Sequence, residues 1–237
     1  MVPLGFVIAG FFAWRHTVLL WKNPHRESLN GLPTSKQLII LFACIFAGAI
    51  IGSRIFYVVW HIDRYRANLT EVFLIFNGGF ISFGGTVFAL LFAVWYMKSK
   101  GISVLKTGDL VALYLPVADA LRRLGCFLNG CCFGRPDHSP FGVFLPHSIV
   151  ARYPTPLYFV AWYITMFFIL RIITKKTKTI GVVFMSYFLL DCFGRFFIEF
   201  FREEYSYRKG PLIIPQVICI FGFVLTAGII LKLLRDT

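Results

Sequence analysis

An all-α integral membrane fold of about seven transmembrane helices, the fourth segment broken, is what this sequence predicts, on three observations. Apolar residues make up 58% of the chain and charged ones only 15%, against about half and about a quarter in a soluble domain. The apolar residues fall in runs of ~20, the length that crosses a hydrocarbon core at ~1.5 Å rise per residue. The lysines and arginines crowd into the short segments between those runs. Mean hydropathy is +0.74, and the 28 phenylalanines suit lipid-facing and interhelical packing.

Membrane segments are predicted at residues 1–20, 37–60, 72–97, 109–134, 155–174, 180–201 and 211–233. The N-terminal MVPLGFVIAGFFAW lacks the positive region and cleavage site of a signal peptide and reads as a short first membrane helix. The fourth segment carries Pro116 and then turns glycine-rich before Pro136. It is expected to break inside the protein, where other parts of the chain can satisfy its irregular backbone. The sixth ends at the charged FREEYSYRKGP, and Pro211 suits the opening of the seventh. The length fits a single polytopic membrane domain over residues 1–237.

Orientation follows from the basic residues. The loops after the first, third and fifth segments, with the C-terminus, hold 13 lysines and arginines, and the opposite side holds seven. The richer side is expected to be cytoplasmic, with the N-terminus outside and the C-terminus inside. The net charge of +13 is explained by this distribution and by anionic head groups. No nucleic-acid motif accompanies it, so a nucleic-acid partner is excluded. Six cysteines lie mostly in apolar stretches without a spaced framework, and no disulfide network is expected.

Four arginines are left unassigned to loops by this count: Arg54, Arg122, Arg123 and Arg195. A charge at the centre of a membrane helix costs ~2.5–3.5 kcal/mol on insertion scales. In SYFLLDCFGRFFIEFFREE, Asp191, Arg195 and Glu199 are spaced i, i+4, i+8, and Arg202 follows three later, so all four are expected on one helical face. Asp119 and Arg123 repeat the i, i+4 pairing, with Arg122 beside them. One reading is mutual neutralisation within each helix, with Arg122 and Arg202 extending to the head groups. The other is an anion clamp for a lipid phosphate, since arginine's planar fork engages phosphate oxygens bidentately and stays charged when desolvated.

GGFISFGG places Gly78, Gly79, Gly84 and Gly85 around Ser82. Two uses are open for it: close helix packing through small residues, or a neck of exposed backbone amides beside a ligand. Asn129 needs partners at bilayer depth and could donate to a phosphate or an ester carbonyl. Cys126, Cys131, Cys132 and His138 form C-x4-C-C-x5-H, which matches no standard zinc pattern, and no C-x-x-C is present. Packing of small thiols is the expected role, with no metal and no cofactor.

Five stretches together resemble the bacterial prolipoprotein diacylglyceryl transferases. LRRLGCFLNGCCFGRP (121–136) is similar to that family's G-R-x-G-N-F-x-N-G-E-x-x-G-R, and FGRFFIEFFRE (193–203) to its R-F-x-x-E-F-F-R. GGFISFGG resembles its G-G-M-S-F-H-G-G, IGSRIFYVV its G-G-R-x-x-Y-V, and YPTPLY its H-P-S-Q-L-Y-E. The resemblance implies seven membrane helices with an outside N-terminus in a bacterial plasma (inner) membrane. It also implies phosphatidylglycerol as donor and transfer of its diacylglyceryl group to the lipobox cysteine of a prolipoprotein signal peptide, with release of glycerol-1-phosphate.

Carried over residue by residue, the resemblance makes Arg123, Arg195 and Glu199 the catalytic candidates. Arg54, Gly78, Gly79, Ser82, Gly84, Gly85, Arg122, Asn129, Gly130, Gly134 and Arg202 are the substrate-binding candidates. The chain departs from the family pattern at Phe83, where a His is usual, at Cys126 for Asn, and at Tyr153, Pro156 and Phe159 for His, Gln and an acidic residue. Glu199 is then the candidate base. Alternatives are a paralogue that transfers a phospholipid-derived group to another acceptor, and a transporter or lipid-binding homologue with a buried charge cluster.

Overall fold

The computed structural model describes residues 10–11, 14–15, 31–62, 82–136, 142–144, 150–202 and 214–236. The predicted first segment, and the Gly78–Gly79 pair, lie largely or wholly outside these residues. Seven α-helices occur among those described: α1 (Ser35–Trp60), α2 (Ser82–Ser99), α3 (Val104–Ala112), α4 (Leu115–Leu128), α5 (Thr155–Lys176), α6 (Val182–Ile198) and α7 (Ile214–Arg235). Three stretches, Ser35–Val59, Thr155–Lys176 and Pro215–Arg235, are long and apolar enough to cross a membrane. The chain divides into two compact units, residues 14–107 and residues 1–13 with 108–237.

In the first unit, α1 opens on a capping box. Thr34 Oγ1 accepts from the Gln37 amide at 3.3 Å, and the Gln37 side chain accepts from the Thr34 amide at 2.8 Å. α1 and α2 then pack closely through glycines. A Cβ on Gly52 would run into Phe88 and the Gly84 carbonyl, and one on Gly84 into Phe56 and the Gly52 carbonyl. Gly48 and Gly85 meet the opposing backbone in the same way. Of the two uses open for the second glycine pair, the structure shows the helix-packing one. Phe56 and Phe88 fill the flanks edge to face, with centroids 6.5 Å apart.

The second unit shows why the fourth predicted segment is two helices. Pro116 lacks an N–H, and in a continuous helix its ring would meet the carbonyl four residues back, so the helix turns at 113–114 and restarts with Pro116 in its first turn. The break thus falls before the proline, while the glycine-rich stretch supplies the end of α4. There Gly130 takes φ +67°. Its amide donates to Phe127 O at 3.1 Å and that of Cys131 to Cys126 O at 3.0 Å, the paired bonds of a Schellman cap.

α4 packs on α5, α5 on α6, and α6 on α7. The core is Ala112, Phe159, Tyr163, Met166, Leu170, Val183, Tyr187 and Ile198. The start of α6 is held from a distance: Asp109 accepts from the amides of Gly181 at 2.5 Å and Phe184 at 2.8 Å, satisfying donors that a helix start leaves open. Gln216 of α7, buried, donates to Phe196 O at 3.4 Å. Ile218, Phe221, Val224 and Leu231 point outward from α7, as a helix in lipid requires.

The all-α expectation needs one small correction. Val143–Phe144 (β1) and Ala151–Arg152 (β2) pair antiparallel. Gly134 and Pro136 make further isolated bridges to Arg202 and Arg152. Backbone groups that leave a helix must still be paired, and here the loop pairs with itself and with the end of α6.

Close α1–α2 packing predicts that Gly84→Leu destabilises the detergent-solubilised protein by about 1–3 kcal/mol, as overpacking does. Gly228, whose Cβ would meet nothing within 4 Å, is expected to accept alanine with an unchanged or higher midpoint. Thermal unfolding of the two variants checks this, and equal midpoints would remove the glycine contact from the account.

Candidate functional site

The charges in the second unit are organised by two carboxylates. On α6, Asp191 Oδ2 accepts from Arg195 Nε at 2.9 Å, one helical turn on. Its Oδ1 accepts from the hydroxyl of Tyr163 on α5, also at 2.9 Å. On α4, Asp119 Oδ1 accepts from Arg122 Nη2 at 3.2 Å and Nε at 3.3 Å. Its Oδ2 accepts from the hydroxyl of Tyr187 on α6 at 2.7 Å. Each carboxylate therefore ties an arginine of its own helix to a tyrosine of a neighbour. Together they lock α4, α5 and α6 in register.

Arg123 differs from its neighbours. It does not pair with Asp119 as the i, i+4 spacing predicts, because Asp119 takes Arg122 at i+3 and Tyr187 instead. Arg123 is 5% exposed and stacks on the Phe159 ring, its Cζ 3.9 Å from the centroid. Among the described residues its buried Nε has no hydrogen-bond partner. Arg122, Arg195 and Arg202 all lie within electrostatic reach of it. A buried guanidinium among other cations, with only a ring beneath it, is a strong site for an anion. Arg195 uses Nε on Asp191, and its two terminal nitrogens make no hydrogen bond among the described residues.

The shared face expected for Asp191, Arg195, Glu199 and Arg202 is interrupted. α6 stops at Ile198, Glu199–Phe201 form a 3₁₀ turn, and Arg202 is extended. The incoming loop explains this. Arg135 N donates to Phe201 O at 3.0 Å, Arg135 Nη2 donates to Phe200 O at 2.6 Å, and Gly134 bridges Arg202. Glu199, 5% exposed, pairs with Arg202 at 3.3 Å rather than with Arg195. Gly134 must be glycine: a Cβ there would strike the Phe201 carbonyl, Thr155 and Tyr153.

Of the residues singled out in the sequence, Arg122, Arg123, Arg195, Glu199 and Arg202 come together in this unit. Asn129 and Gly130 form the end of α4, where the Asn129 amide donates to Gly125 O at 3.1 Å and Gly130 supplies the left-handed cap. Arg54 belongs to the first unit, buried in α1 with its guanidinium 5.9 Å from the Tyr57 ring. Ser82 opens α2, and Gly84 and Gly85 face α1 in that same unit. Tyr163, Tyr187 and Phe159 are the site residues that helical spacing did not reveal. A hydroxyl inside an apolar run needs a partner at that depth, which is the signal the two tyrosines carried.

Helices of membrane length, with arginines paired to carboxylates beside a buried guanidinium that has no ion-pair partner among the described residues, define a helical membrane protein with charges buried in its apolar interior. The sequence matches the family model described as prolipoprotein diacylglyceryl transferase over residues 2–232. This chain belongs to that family, as the motif resemblance implied. It is 36% identical over 194 residues to the phosphatidylglycerol–prolipoprotein diacylglyceryl transferase of Clostridioides difficile (strain 630), covering 82% of this chain and 77% of that protein. It is 36% identical over 213 residues to the protein of that name from Listeria innocua, at 85% and 76% coverage. For the one from Clostridium botulinum (strain Langeland) the identity is 32% over 207 residues, at 84% and 81% coverage.

The bracing predicts that Tyr163→Phe and Tyr187→Phe each lower the unfolding free energy by about 1–2 kcal/mol, leaving a carboxylate short of one donor. Denaturant unfolding in detergent measures it. Wild-type stability in both variants would mean that the tyrosines do not hold the carboxylates.

Proposed function

We propose that this protein is a membrane transferase that moves the diacylglyceryl group of phosphatidylglycerol onto the lipobox cysteine of a prolipoprotein, releasing glycerol-1-phosphate. The observation that carries this reading is Arg123, buried without an anionic partner among the described residues and close enough to three further arginines to feel their charge. A phospholipid phosphate supplies the missing charge. The family and the names of the relatives support the same donor and acceptor.

In this reading Arg123 and Arg195 hold the phosphate, and Arg122 and Arg202 add to the field. The cysteine sulfur attacks the glyceryl carbon, the carbon–oxygen bond to phosphate breaks, and a thioether forms. Negative charge grows on the departing phosphate, where preset guanidinium donors stabilise it more than they stabilise the bound lipid. The same positive field lowers the cost of ionising the thiol. Glu199 takes the thiol proton and passes it to water. The chain is a single domain of seven spans in a bacterial plasma membrane, its N-terminus outside and C-terminus in the cytoplasm. The apolar helices and the count of basic residues support that arrangement.

Purified protein in phosphatidylglycerol liposomes, given a lipobox peptide, is expected to yield the diacylglyceryl peptide by mass spectrometry. Arg123→Lys and Arg195→Lys are each expected to cut turnover by at least about tenfold despite retained charge, since the planar fork is lost. Full turnover in both lysine variants, at normal expression, would remove the clamp. Phe83→His tests the base. With Glu199 as base, histidine at 83 changes turnover little, whereas a chain lacking a base would gain on the order of 10²-fold or more.

A further inference from the structure

We propose that Cys126, Cys131 and Cys132 form a binding site for a thiophilic d¹⁰ metal ion, zinc(II) or copper(I). Their three sulfur atoms all lie within 4.8 Å of one another. Metal–thiolate bonds of ~2.3 Å set sulfurs about 3.8–4.0 Å apart in a tetrahedral or trigonal arrangement. The cluster therefore needs to contract by no more than about 1 Å per pair to close on an ion.

The local backbone is shaped to bring these thiols together. Gly130 at φ +67° ends α4 and reverses the chain, so that Cys131 returns over Cys126, its amide donating to Cys126 O at 3.0 Å. Cys132 then takes φ +65°, the one non-glycine residue with positive φ among those described. Such a conformation costs a residue with a Cβ of the order of 1–2 kcal/mol. It is held by Thr155, fully buried, whose hydroxyl donates to Cys132 O at 2.6 Å.

Simple packing does not account for this. Cys131 and Cys132 are exposed, so they fill no core, and a left-handed cysteine gains nothing from apolar contact. Three soft donors suit ions that prefer sulfur, whereas a disulfide would use two and strand the third. Copper(I) is satisfied by three sulfurs in a plane, while zinc(II) adds a donor from outside. Each thiol that binds releases its proton, leaving excess negative charge on the thiolates. Arg135, three residues on from Cys132 and hydrogen-bonded to Phe200 O, places positive charge close by in the chain. The sequence spacing hid the site because it matches no standard pattern. The grouping exists only once the cap at Gly130 turns the chain back.

The test uses the full-length protein in detergent, reduced and treated with chelator, then titrated with zinc(II) alone or copper(I) alone. About one equivalent per chain is expected to stay through gel filtration. The ion that withstands the stronger competing chelator is the one assigned. Cobalt(II) in place of zinc is expected to show sulfur-to-metal charge-transfer absorption. C131S and C132S are expected to weaken binding by about tenfold or more, and the triple serine variant to abolish it. A variant carrying Cys192→Ser and Cys219→Ser is expected to bind as the wild type does. Wild-type protein that retains no metal while all three thiols react with a thiol reagent would overturn the proposal. Retention unchanged in the triple variant would do the same, as would a Cys126–Cys131 or Cys126–Cys132 disulfide recovered from protein prepared without reductant.

Discussion

The second unit depends on how two carboxylates are shared. Asp119 and Asp191 each have two oxygens to satisfy in an apolar surrounding, and each divides them between an arginine one turn along its own helix and a tyrosine on the next helix. A hydrogen bond to a charged group contributes ~1.5–3 kcal/mol, and a buried carboxylate left short of donors costs a comparable amount. Helices that slid by one turn would break both arrangements at once. Because Asp119 is committed to Arg122 and Tyr187, Arg123 is left with the Phe159 ring. That Arg123 is left without a carboxylate among the described residues is thus a consequence of how the structural charges are paired.

The loop after α4 sets the other boundary. Once Gly130 turns the chain, residues 134–136 run between Tyr153 and the end of α6, donating to Phe201 O and accepting from Tyr153 N. That insertion ends α6 at Ile198, converts 199–201 to a tighter turn, and swings Arg202 onto Glu199. Gly134 is the narrowest point of the passage, with neighbours on both sides that would exclude any side chain. One loop therefore terminates two helices, positions the Glu199–Arg202 ion pair and carries two of the three clustered thiols.

Much was legible in the sequence because a membrane imposes coarse rules. Run length marked α1, α5, α6 and α7 within a few residues, since a helix in lipid must satisfy its backbone internally over a set thickness. Pro116 marked a break, though the break falls just before it. The i, i+4 charges marked α4 and α6 as helices with buried ion pairs. Helical spacing, however, describes only neighbours on one helix. It could not report that Asp119 takes the i+3 arginine, that Tyr163 and Tyr187 complete the carboxylates, or that Gly84 and Gly85 face α1.

By itself, then, the sequence determined the class of protein, its family and the helices that carry charge inside apolar runs. Which of those charges neutralise one another, and which is left over, was decided by tertiary structure. The reason is physical. Hydrophobicity and helical period act along the chain and can be read from it. The pairing of a buried charge depends on which helix comes alongside, at what register, with what hydroxyl or ring at that depth.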